Sequence, residues 1–238
     1  MNEIDFFDDK IVLYITKITE SIIRVYDVNR IFSMFKKSDK KEQESLSEKK
    51  AMGDYLTGTS IKFRDNQFGT VYPGGNMNLK QDKVRFHFDS VDCYNVVYDL
   101  DLKKNSVKIL EDFEHSGAKF KKENYKIEII YAPSHDGTDI PITLIYNKNL
   151  LPSNLKGFRK RAQVPVTPQK LLLRTYGCYG ISTNLNFSIT DWSLLENDWI
   201  IALAHIRGGK ELGEDWHLQA KGSQKINSIQ DILSCAEH

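Results

Sequence analysis

No stretch of this sequence is both long and apolar enough to cross a bilayer as a helix, a task that takes about 18–20 residues. Its opening, Met1-Asn2-Glu3-Ile4-Asp5-Phe6-Phe7-Asp8-Asp9, is acidic where a secretory leader would be basic and then apolar. No membrane span and a cytoplasmic location are therefore expected. Cysteine is scarce: Cys93, Cys178 and Cys235 are odd in number, far apart and without paired ligand spacing. That pattern argues against a disulfide framework and against a zinc site, so reduced thiols and no metal are expected. Neither sign of charge is in excess, because 33 Lys and Arg face 32 Asp and Glu for a net charge of +1. With the basic residues spread along the chain, no electrostatic footprint for nucleic acid exists. What is present is ordinary globular material, 40% apolar and 27% charged over 238 residues, enough for one large domain or two small ones.

The first 110 or so residues read as short strands between turns. Lys10 to Lys17 and Ser21 to Val28, rich in Ile, Val and Tyr, predict a hairpin. Further strands are predicted at Ser60 to Phe63, Val84 to Phe88, Asn95 to Leu100 and Val107 to Leu110, a spacing that suits a meander, a sandwich or a propeller blade. Between them, Arg30 to Lys50 interleaves Lys and Glu with serine and predicts a solvated charged insertion at about residues 30–57.

From Tyr125 the pattern changes. Tyr125 to Ala132 and Ile140 to Tyr146 predict two strands joined across Asp136-Gly137, and Leu171 to Tyr176 predicts a buried strand. Ile189, Trp192 and Leu195 recur at helical spacing, and Trp199 to Ala204 is an apolar run of strand length. Ser228 with Asp231 predicts a capping box, and Ile229, Ile232, Leu233 and Ala236 predict the apolar face of a last helix. This order, with a loop after its third strand, is the opening half of an α/β-hydrolase sheet.

Acyl transfer by a serine enzyme needs a nucleophile on a strained turn, a base, an orienting acid and donors for the oxyanion. The 238 residues hold no Gly-x-Ser-x-Gly elbow, and Gly177-Cys178-Tyr179-Gly180 lacks the first glycine of a cysteine version. His205 and His217 read as hydrogen-bonded residues shaping a loop rather than as a catalytic base. Two segments stand out: Tyr176-Gly177-Cys178-Tyr179-Gly180, and His205-x-Arg207-Gly208-Gly209-x-Glu211-x-Gly213-x-x-Trp216-His217. The successive glycines permit a backbone path that a Cβ would block, and Arg207 is expected to pair with Glu211.

The two segments together resemble the prolyl oligopeptidase family of serine peptidases, in its oligopeptidase B and prolyl endopeptidase-like branch. Val84 to Leu100 and Tyr131 to Ile142 extend the likeness, and Lys225, Asn227 and Asp231 continue it. The resemblance implies a partial β-propeller, its last one to two blades, over residues 1–115, then the N-terminal half of an α/β-hydrolase domain over 116–238. It implies that Tyr176 donates its hydroxyl to the oxyanion, although Arg174-Thr175 replaces the Tyr-Gly pair that relatives carry just before. Tyr179 falls near the substrate side chain. Asn184 and Asn186 fall where oligopeptidase B relatives place acidic residues, which weakens a preference for basic peptides. His205, Arg207, Gly208, Gly209, Glu211, Gly213 and Trp216 read as scaffold. The implied function is a serine-type oligopeptidase hydrolysing short peptides, without cofactor, represented by a fragment that ends before the Ser-Asp-His triad and is inactive alone. An esterase or thioesterase acting on acyl esters, and a non-catalytic truncated binding protein, are the alternatives.

Overall fold

The computed structural model describes residues 2–38, 58–112, 122–150 and 169–238. They fall into two compact units, one formed by Met1–Asp89 with Cys93–Phe113 and the other by Ser90–Asp92 with Glu114–His238.

The first unit holds two four-stranded antiparallel sheets. One is β1 (Asn2–Phe6), β2 (Lys10–Lys17), β3 (Glu20–Asp27) and β4 (Thr59–Ile61), and the other is β5 (Thr70–Pro73), β6 (Lys83–Ser90), β7 (Cys93–Asp101) and β8 (Ser106–Glu111). In each sheet the strands lie in chain order, the meander of a propeller blade. Alternation dictates the packing: Val12 and Tyr14 from β2, Ile23 and Val25 from β3, and Val84, Phe86 and Phe88 from β6 all enter one apolar cluster. At its centre Phe86 stacks on Tyr98 at 4.9 Å, and Phe63 meets Phe86, Phe88 and Tyr98 edge-on at 5.3, 5.2 and 5.6 Å. Such pairs add to area burial because ring edges and faces carry opposite partial charge.

The insertion expected from Arg30 begins instead as a helix, α1 (Val28–Ser38). Asp27, closing β3, accepts from the Arg30 backbone N–H at 2.9 Å and so caps the first turn, a local signal that outweighs the charge-rich composition. The rest of that insertion, residues 39–57, lies outside the described residues, as does most of the proline-bearing segment after Lys148.

The second unit is a four-stranded mixed sheet in the order β11-β12-β10-β9. Here β9 (Tyr125–Pro133) pairs antiparallel with β10 (Asp139–Asn147), and β10 pairs antiparallel with β12 (Trp199–Ala204). The fourth strand, β11 (Lys170–Arg174), pairs parallel with β12 through a crossover containing α2 (Ile189–Glu196). Central β10 and β12 are buried nearly throughout, so they read as continuous apolar runs rather than alternating ones. The predicted buried strand at Leu171–Tyr176 is corrected: β11 ends at Arg174, pairs on one side only among the described residues and is half-exposed. Ser188 starts α2 by accepting from Asp191 N, while Trp192 and Leu195 turn inward.

Two short turns follow β12, at α3 (Glu214–Leu218) and at the 3-10 helix Gly222–Lys225, and α4 (Ile226–Glu237) closes the chain. The predicted capping box is also corrected. The helix starts two residues before Ser228, and both Ser228 and Asp231 are buried against the sheet side with Cys235. Ile229, Leu233 and Ala236 face solvent, and of the predicted apolar face only Ile232 packs against the core. Hydrogen-bonding demand from the preceding loop, described below, sets which side of α4 turns inward.

Phe86→Ala is expected to cost the first unit about 3–5 kcal/mol, the range for emptying a buried aromatic site. Urea unfolding followed by tryptophan-free near-ultraviolet signals of that unit checks it.

Candidate active-site loops

Strands β11 and β12 are parallel neighbours with Arg174 opposite Leu203, so the loops that leave their C-terminal ends emerge side by side. In open α/β sheets ligands bind beyond those ends. One loop carries Tyr176 to Asn186 and the other His205 to Gly213.

The first loop leaves β11 under restraint. Arg174 forks onto the Asp191 carboxylate at 2.9 and 2.8 Å, and the Thr175 hydroxyl donates to Ala204 O at 2.6 Å. Arg174 thus ties the start of the loop to α2, and Thr175 ties it to the end of β12. Tyr176 follows with 49% of its surface exposed. Ile181 N donates to Cys178 O at 3.0 Å, closing a turn with Tyr179 and Gly180 at φ +55° and +66°. Two positive φ values at the centre of a tight turn are the mirror-image type I arrangement, which lifts Tyr179 to 83% exposure.

The second loop is held from below. Arg207 is buried and donates to Asp231 from Nε at 2.9 Å and from Nη2 at 2.7 Å, with its backbone N–H reaching the same carboxylate at 3.1 Å. Asp231, at 0% exposure, also accepts from Ser134 Oγ at 2.6 Å. Arg207 Nη1 reaches Asp136 in the β9–β10 turn at 2.6 Å. The expected Arg207–Glu211 pair is thus corrected. Glu211 instead accepts from Thr183 N at 2.7 Å, steadying the segment with Asn184 and Asn186. A fork between two carboxylates satisfies the guanidinium better than one, and the sequence spacing of four residues could not reveal partners 71 and 24 positions away.

His205 is buried, with Nε2 at 2.9 Å from Thr143 Oγ1 and its backbone N–H bonded to Pro141 O at 2.9 Å. Its Nδ1 stands 3.7 Å from Glu211 Oε1 and has no hydrogen-bond partner among the described residues, as is true of Glu211 Oε2 and Asn184 Oδ1. Trp216, buried, donates to His205 O at 3.1 Å, and His217 Nδ1 lies 3.0 Å from Gly208 O. Gly213 closes a turn to Lys210 O just before α3. Asn186 is half-buried beside Leu185, which is fully buried.

The two loops touch through glycine. Gly180 N donates to Gly208 O at 3.0 Å, and a Cβ on Gly208 would fall on the Gly177 carbonyl oxygen while φ there is +101°. At Gly209 a Cβ would strike the Glu211 carboxylate. Only glycine allows this approach. From the start of α4, Lys225 Nζ donates to the Gly177 carbonyl and to Ser228 Oγ, the latter at 3.0 Å, and Ser228 Oγ donates to Arg207 O at 2.6 Å. Sequence reading did not assign Asp136, Ser134, Asp191 or Ser228 to this region; they come from the β9–β10 turn, α2 and α4, and only the fold gathers them. Among the described residues no group of three or more His, Cys, Asp or Glu could hold a metal.

Electrostatics follow from these contacts. Bonding to Asp231, then to Asp136, raises Arg207 above its ordinary value. The Arg207 guanidinium holds the Asp136 carboxyl well below the usual carboxylate range, and burial followed by the Asp231 charge pushes the Cys235 thiol up to about 12.

Residues 185–238, which run from α2 and β12 through the whole second loop to α4, match the Prolyl oligopeptidase family. The chain belongs to that family. Over 164 residues, 68% of this chain and 21% of the relative, it is 32% identical to dipeptidyl aminopeptidase BI of Pseudoxanthomonas mexicana. Over 107 residues, 45% of this chain and 13% of the relative, it is 35% identical to a prolyl endopeptidase-like protein of Xenopus laevis. The structure of oligopeptidase B from Leishmania major superposes with a TM-score of 0.71 at 24% identity, covering 100% of this chain and 29% of that one. The fold is therefore a partial β-propeller joined to the first half of an α/β-hydrolase domain. The chain spans about a fifth or less of the length of these two curated relatives.

Asp231→Asn is expected to destabilise the second unit by about 3 kcal/mol or more, because it leaves the buried Arg207 half-compensated; chemical unfolding measures it. Asp136 gives a pH signature. A carboxyl depressed in the folded state contributes stability that is complete above about pH 4 and is lost as pH falls through the lower folded value. Asp136→Asn is therefore expected to flatten the acid-side fall in stability below about pH 4 relative to the parent chain, with little change in slope near pH 7.

Proposed function

We propose that these residues form the oxyanion loop and its scaffold in a serine hydrolase that cleaves short peptides. In this reading the Tyr176 hydroxyl is a neutral donor aimed at the oxygen that becomes negative when a carbonyl is attacked. A donor fixed in advance stabilises that charge without reorganising during the reaction. The observation that carries the reading is the placement of Tyr176: half-exposed, beyond the C-terminal end of β11, on a loop restrained before it by Arg174 and Thr175 and after it by the turn at Tyr179. Nucleophile, acid and base would come from outside these 238 residues, in which no Gly-x-Ser-x-Gly elbow occurs. Tyr179, at the apex of its turn, would meet the substrate side chain. Asn184 and Asn186 would offer neutral amides where a cationic side chain would need carboxylates, which favours uncharged substrates.

That neutrality, with the likeness to a prolyl endopeptidase-like protein, also supports a second reading, cleavage of acyl esters or thioesters on the same scaffold. Assaying the complete gene product against short peptides and acyl thioesters separates the two, since one substrate class should be turned over with the higher kcat/KM.

In that complete protein, Tyr176→Phe is expected to lower kcat about 100-fold with KM nearly unchanged, as for loss of one oxyanion donor. Undiminished kcat would overturn the assignment. The 238-residue chain alone is expected to leave a serine-directed fluorophosphonate unreacted, and mass-spectrometric detection of a labelled serine would overturn the view that the nucleophile lies elsewhere.

A further inference from the structure

We infer that Lys225 is a positioning residue for the Tyr176 loop, its ammonium holding the Gly177 carbonyl and thereby fixing the direction of the phenol. This rests on the reading of Tyr176 as an oxyanion donor.

Gly177 is the residue directly after Tyr176, and it lies at φ +63°. Glycine has the widest freedom about φ and ψ of any residue, so a loop that pivots on glycine keeps its geometry only if its peptide groups are held by partners. The Gly180 amide is one such hold, through Gly208 O at 3.0 Å. The Gly177 carbonyl is another. It is backed by Gly208 on one side, where a Cβ would collide with it, and takes a charge-assisted hydrogen bond from Lys225 Nζ on the other.

The same ammonium donates to Ser228 Oγ at 3.0 Å, and that hydroxyl in turn donates a hydrogen bond to Arg207 O at 2.6 Å. One cation at the start of α4 therefore braces both loops, the one bearing Tyr176 directly and the one bearing Gly208 through Ser228. Lys225 has no role in the chemistry itself, because its donors are turned to backbone and to Ser228. Its effect on turnover would pass through the orientation of Tyr176. A lysine serves here because a flexible stem with three donors reaches a backbone carbonyl and a hydroxyl at once.

The test compares Lys225→Met and Lys225→Arg in the 238-residue chain by amide hydrogen exchange and by NMR of carbon-13-labelled tyrosine. Lys225→Met is expected to speed exchange at Gly180 about 10-fold or more and to move the Tyr176 ring resonance, while amides in the middle of α4 keep their protection. Lys225→Arg, which retains a cationic donor, is expected to stay near the parent values. Unchanged Gly180 exchange in Lys225→Met overturns the inference. If that variant strips protection from α4 as well, Lys225→Arg decides: Gly180 protection kept supports the tether, and protection lost overturns it.

In the complete gene product Lys225→Met is expected to reduce kcat about 10-fold with KM within about twofold, and Lys225→Arg to recover most of the loss. The two readings fail separately. If Gly180 exchange responds to Lys225→Met but Tyr176→Phe leaves kcat intact, the tether stands and the oxyanion role falls. If Tyr176→Phe lowers kcat but Gly180 exchange ignores Lys225→Met, the tether alone falls.

Discussion

The buried contact between Arg207 and Asp231 organises the hydrolase-like unit. A guanidinium and a carboxylate removed from water cost free energy unless their hydrogen-bonding capacity is filled, and here it is filled from three directions. Asp231 comes from α4, Arg207 from the loop after β12, and Ser134 and Asp136 from the β9–β10 turn. Because each partner lies on a different element, satisfying one charge pair fixes the seating of the helix on the sheet and the path of the loop above it. The inward turn of Ser228, Asp231 and Cys235, with Ile229 and Leu233 left outward, follows from that requirement.

Once the loop after β12 is set, the loop after β11 has little choice. Gly208 and Gly177 approach too closely for any side chain, Gly180 bonds across to Gly208 O, and Lys225 draws on the Gly177 carbonyl. Tyr176 and Tyr179 thus stand exposed on a frame held by hydrogen bonds at Gly177 O, Gly180 N and Ile181 N. An exposed aromatic on a restrained loop has a different meaning from one on a free loop: ordering it on binding costs less conformational entropy.

Much of this was legible in the chain. Strands β2, β3, β6, β7, β9, β10 and β12 declared themselves through β-branched and aromatic runs between turn residues, and the change of pattern at Tyr125 marked the start of the hydrolase-like strands. The glycines of the two segments signalled close backbone approach. Where reading failed, a tertiary demand had overruled a local one. The Ser228–Asp231 spacing is that of a capping box, yet both side chains answer to Arg207. The Arg207–Glu211 spacing suits a local pair, yet Arg207 reaches Asp136 and Asp231 instead. Ile229 and Leu233 sit at helical spacing with Ile232, but the side of α4 that carries the hydrogen bonds is the side that is buried.

By itself the sequence determined most of the strands and the last helix, the likeness to the prolyl oligopeptidase family and the two segments where chemistry concentrates, because these depend on periodicity, turn residues and motif spacing within short windows. Only the tertiary structure decided which charges meet, which face of the last helix is covered and which groups restrain Tyr176. Those outcomes depend on partners brought together from as far as 97 positions apart, as Ser134 and Asp231 are, and no local window contains both ends of such a contact.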